Sequence, residues 1–83
     1  MTKEDKRLLL KQATKLAVLG VTVERERSKL KKLVGRGVAY SAPEMLAALQ
    51  RFRDADTEWK RLEVEHLELR SKLGLPQEVR YRD

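Results

Sequence analysis

The chain has no cysteine, one histidine, one tryptophan, one phenylalanine, two prolines and four glycines in 83 residues. Without cysteine no disulfide can reinforce the fold, and the absence is in keeping with a reducing compartment, so a cytoplasmic location is expected. The longest apolar run, Leu16 to Val21, is far too short to cross a bilayer, and acids precede any apolar run at the N-terminus. Neither a signal peptide nor a membrane contact is therefore expected. Aromatic scarcity removes the series of stacking rings that single-stranded nucleic-acid binders use, with Tyr40 the one ring near the basic region.

What the chain does have is charge and helical periodicity. It is 39% charged and 41% hydrophobic, with a net charge of +6, which suits a small, mostly exposed helical domain. The charge is unevenly spread: residues 1–37 hold 11 Lys/Arg against 4 Asp/Glu, and residues 38–83 hold 8 against 9. At this size one core barely offsets conformational entropy, and oligomerisation is the usual remedy.

Apolar or small residues recur in steps of three and four at Leu9, Ala13, Leu16, Gly20, Val23, Leu30 and Val34, with Arg27 as the polar intrusion. Thr2 and Asp5 suit the start of this helix, and Gly35 suits its end. Ser41-Ala-Pro43-Glu44 matches a capping box for a second helix. That helix carries Met45, Ala48, Phe52, Ala55, Trp59, Leu62, His66, Leu69 and Leu73 on one face, and Gly74-Leu75-Pro76 ends it. The expected architecture is all-α: an antiparallel, coiled-coil-like two-helix hairpin over 1–76, with helix 1 at about 3–34, a loop at 35–41 and helix 2 at about 42–73. Residues 77–83 read as a flexible tail. Facing residue numbers should sum to about 76, setting Trp59 against Ala13, Ala17 and Gly20, and Met45 against Leu30 and Val34. Gly20 is the one position where helix 1 might be expected to break, yet the apolar phase runs through it undisturbed.

The segment Leu16 to Val21 is apolar around its circumference, so Val18 and Leu19, away from the expected seam, call for burial beyond it. Leu46, Leu49, Val64 and Leu67 form a second stripe on helix 2. A homodimer is expected, two hairpins making a four-helix bundle centred on the middle of helix 1; a different helical protein is the other candidate for the same surface. The interface residues would be Ala17, Val18, Val21, Leu46 and Leu49, with Phe52 and Trp59 as internal anchors.

Little here suggests chemistry. Glu63 and His66 have the spacing of a di-iron Glu-x-x-His motif, but the residues expected opposite, Leu9, Leu10 and Lys11, supply no further ligands. His66 is better read as a seam residue that hydrogen-bonds a neighbour. Ser28, Ser41 and Ser71 lack a histidine base, and carboxylates two apart, such as Asp54 and Asp56, point in different directions on a helix. The pairs Asp56–Lys60, Arg61–Glu65 and Glu68–Lys72 suit a solvated face. Gly35-Arg-Gly37 lacks the Lys-Ser/Thr of a phosphate loop. No catalytic residue, metal, cofactor or small-molecule substrate is expected. The remaining candidate is a basic tip of Lys29, Lys31, Lys32, Arg36, Arg51 and Arg53, joined by Arg25 and Arg27, that would bind nucleic-acid phosphates. The expected function is a non-enzymatic protein-interaction module, an adaptor, assembly factor or chaperone-like subunit; the alternative is a dimeric nucleic-acid-associated protein.

Overall fold

A computed structural model describes residues 1–76; the tail expected at 77–83 lies outside the described residues. Helix α1 runs Lys3–Gly35 and α2 runs Pro43–Lys72, and they pack along their length as an antiparallel hairpin of 52 × 21 × 16 Å. No strand occurs among the described residues.

The start of α1 is a reciprocal capping box. Thr2 Oγ1 accepts from the Asp5 N–H at 3.1 Å, and Asp5 Oδ2 accepts from the Thr2 N–H at 3.2 Å, satisfying two donors that the first turn leaves open. The box expected at Ser41 does not form. Ala42 is the N-cap, extended at φ −64° and ψ 140°, with no side-chain cap, and Pro43 opens α2. A cap at Ser41 would require Ala42 to be helical, and the ring of a following proline disfavours that conformation. Proline thus overrides the serine.

Both helices end in Schellman motifs. Gly37 (φ 75°) and Gly74 (φ 71°) take the left-handed position, and the Val38 and Leu75 N–H groups return to the Leu33 and Arg70 carbonyls at 3.1 and 2.8 Å. Gly35, expected to be the cap, is instead the last helical residue. The motif favours an apolar residue after the left-handed glycine, and half-buried Val38 follows Gly37 whereas Arg36 follows Gly35.

The core is one line of contacts. Leu16, Val23, Ala55 and Trp59 form its buried centre, with Phe52 and Leu62 packed against it; Leu19, expected off the seam, packs there too, because it lies one three-residue step from Leu16 and one four-residue step from Val23. Met45 and Ala48 are buried toward the loop, and His66 toward the open end. Every expected seam residue of α2 is buried or half-buried. On α1, Gly20 is buried within an unbroken helix, while Ala17 faces outward and so does not lie beneath Trp59. Val34 is 50% exposed and Leu33 is half-buried, so Leu33 takes the place expected of Val34 near Met45.

Beyond Val23 the seam passes between two neighbours instead of over Arg27. Glu26 is buried and reaches Arg51 (3.4 Å), while exposed Arg27 sends its guanidinium over the Phe52 ring (6.0 Å to the centroid). Gln12 meets His66 at the other end. These pairs set the register one to three residues away from the expected sum of about 76.

Thr2→Ala should lower stability by about 0.5–1 kcal/mol in urea titrations, as loss of a working N-cap does. Ser41→Ala should leave it unchanged. Equal losses at the two sites would contradict the cap assignment.

Candidate functional site

The groups that sequence reading weighed for chemistry are occupied structurally. His66 is 2% exposed, and its Nδ1–H donates to Gln12 Oε1 at 2.8 Å. Burial, and after it the Arg70 charge, pull its pKa below the ordinary 6.5. Among the described residues no group of three or more His, Cys, Asp or Glu side chains could hold a metal ion. His66 instead closes the open end of the seam, and Gln12 is the partner that sequence reading did not name.

The most distinctive surface is the back of α1. Successive helix residues turn about 100°, so positions three and four apart share a face. The face pointing away from α2 begins with Lys3, Arg7 and Lys11, continues with Thr14, Val18 and Val21, and ends with Arg25, Lys29, Lys32 and Arg36. All ten are exposed. At about 1.5 Å per residue it is about 50 Å long, and none of the ten is an acid. Val18 and Val21 are 61% and 59% exposed, and Leu10, about two turns toward the N-terminus, 69%.

The four acids of α1 lie elsewhere. Glu4 and Asp5 sit in the first turn, where the helix dipole favours negative charge. Glu24 approaches Arg27 at 3.9 Å, and Glu26 binds Lys29 at 3.3 Å and Arg51 at 3.4 Å. Only Lys29 of the outer face is thus paired; among the described residues Arg7, Lys11, Arg25, Lys32 and Arg36 have no carboxylate at ion-pair distance.

This geometry regroups the residues expected to act. Val18 and Val21 share the outer face with Lys29, Lys32 and Arg36, so parts of two candidate sites form one surface, and exposed Ala17 lies at its edge. Leu46 and Leu49 do not join them. They belong to α2, and with Glu26 opposite Arg51 they stand about 7 to 10 residues, or about 10–15 Å, further along the hairpin than Val21. Leu46 is 55% exposed and Leu49 half-buried. The basic tip is likewise divided. Arg51 turns to Glu26, Arg53 lies two residues on and points to the other side of α2, and Lys31 stands more than a quarter-turn from Lys32. All six tip residues are exposed but they do not converge.

Glu26 is the residue that the sequence reading undervalued. An acid flanked by arginines looks like a diluting surface charge. Its spacing to Lys29 and its level with Arg51 were the available signals, and together they make it a buried clamp between the helices. Of the three surface pairs expected on α2, Asp56–Lys60 forms at 2.9 Å.

No family model, curated protein or solved structure matches the chain. No helix among the described residues is long and apolar enough to cross a membrane.

Two outcomes follow from the paired groups. Because folded His66 binds its proton less readily than unfolded histidine, stability is full above pH 6.5 and falls below it until the lowered folded value is passed. The urea midpoint should fall as pH is lowered through 6.5, and fall less in His66→Gln; equal pH dependence in both chains would contradict this. Glu26→Gln should cost about 1 kcal/mol, since its cations are half-exposed and screened. The difference should shrink in high salt, and a salt-independent loss would show that packing alone was disturbed.

Proposed function

We propose that this chain is a non-enzymatic helical-hairpin module, of the adaptor, assembly-factor or chaperone-like kind, that works by protein contact through the outer face of α1. The observation that carries the reading is the exposure of Val18, Val21 and Leu10 on a regular helix whose opposite side is already filled. Val18 and Val21, one three-residue step apart, offer the short apolar ridge that a partner helix packs against, with Leu10 about two turns away toward the N-terminus. A two-helix hairpin has a single interface from which to draw stability, which adds to the value of an outside partner.

The same face weighs against the expected homodimer. Packing α1 on its copy in a four-helix bundle centred on Val18 would set Arg7, Lys11, Arg25 and Lys32 against an equally cationic face. A different protein is the favoured partner. The nucleic-acid reading keeps one supporting observation: Lys31, Lys32, Arg36 and Arg53 are exposed, without an ion pair among the described residues. Under that reading affinity for duplex falls steeply with salt.

A photo-crosslinking residue at Val18, irradiated in the cell that makes the protein, should give discrete adducts with other proteins, and one at exposed Glu58 on α2 should not. Adducts only with copies of the chain would restore the homodimer. Adducts at neither position would overturn the interaction reading.

A further inference from the structure

We infer that the outer face of α1 takes an acidic amphipathic helix of another protein, whose apolar stripe covers Val18 and Val21 and whose carboxylates meet the cations at either end. This rests on the protein-contact reading and names the chemistry of the partner.

Charge complementarity carries the inference. The apolar patch lies between Lys11 and Arg25, which are 14 residues, or about 21 Å, apart along one straight helix. Arg7 and Lys11 guard one end, and Arg25, Lys32 and Arg36 the other. Among the described residues none of these five has a carboxylate partner within the hairpin. A partner that covers the valines therefore brings its own end residues against cations that no carboxylate among the described residues neutralises. Acids there gain charge-assisted contacts, and bases are repelled.

The three- and four-residue spacing decides what shape that partner has. It is the spacing at which a second helix stays in contact over several turns, and Thr14, Val18 and Val21 are short enough for close approach. A nucleic-acid duplex would meet the cations but lay phosphate and sugar over the valines, and its grooves curve away from a straight 33-residue helix. A lipid surface would find only two valines and Leu10 to bury, with no aromatic anchor on the face. A second copy is disfavoured through its α2, where Arg53, exposed and without an ion pair among the described residues, lies between exposed Leu46 and Val64.

The test uses the full chain and a designed peptide probe of about 28 residues, with leucines at heptad spacing in its central turns and glutamates toward both ends. Fluorescence anisotropy at physiological salt compares it with a scrambled peptide of the same composition, a duplex of about 20 base pairs, and phosphatidylserine vesicles. The ordered peptide should bind at least about tenfold more tightly than the scrambled one. Val18→Ser/Val21→Ser and Lys32→Glu/Arg36→Glu should each weaken it by about tenfold or more while circular dichroism and melting temperature stay at the parent values. A peptide with lysines at the matching end should rescue Lys32→Glu/Arg36→Glu, which a folding defect would not permit. No preference for the ordered peptide overturns the inference, as does tighter binding to duplex or vesicles that survives loss of the valines. If Val18 crosslinks to other proteins in the cell but the ordered peptide is not preferred, the acidic-helix inference falls and the interaction module stands. If neither occurs, both fall.

Discussion

The close approach of α1 and α2 at mid-length is the constraint on which the rest of the structure depends. Trp59 is 8% exposed and packs in a buried cluster with Leu16, Val23 and Ala55, and Gly20 and Ala48 are buried along the same seam. A bundle of four helices distributes such contacts over several interfaces, but a hairpin has one. Removing a large buried side chain typically costs about 3–5 kcal/mol, comparable to the whole stability of a domain this small.

Polar pairs bracket this core and fix the sliding of one helix on the other. Gln12 and His66 meet at the open end, and Glu26 meets Arg51 toward the loop. Each would be costly if displaced by a residue or two, because a buried polar group that loses its partner is destabilising. The apolar contacts of a two-helix seam are more forgiving of a shift. Register here is therefore held by a histidine and a glutamate, with the apolar residues supplying the adhesion. Once the register is fixed, Val18 and Val21 have no route into the core, since they point away from α2 at every level of the hairpin.

Much of this was legible in the sequence, and the misses share a physical cause. The α2 seam, the Thr2 cap, the Gly74 stop and the all-α hairpin follow from spacing and local chemistry. Strict heptad counting failed at Glu26 and Arg27, where the seam runs between two adjacent residues and the longer one sets its guanidinium over the Phe52 ring. The Ser41 box failed because a capping pattern counts residue types and ignores what proline does to the residue before it. Gly35 and Gly37 were both able to take the left-handed position, and the residue that follows decided between them. The candidate interface was read as one patch because outward residues were taken helix by helix. Applying the antiparallel register to them separates Leu46 and Leu49 from Val18 and Val21, and it leaves the basic residues of α1 as neighbours of those valines.

The central claim is that the hairpin closes on its own seam and leaves the outer face of α1 open. Since the chain has no cysteine, single substitutions Val18→Cys and Val23→Cys give clean reporters of each side. Maleimide labelling measured across a wide range of protein concentration, in variants of matched melting temperature, should be fast at position 18 at every concentration and strongly protected at position 23. Protection at position 18 that grows with concentration would show the face covered by a second copy, and equal labelling at the two positions would show that the seam is not closed; either result contradicts the account.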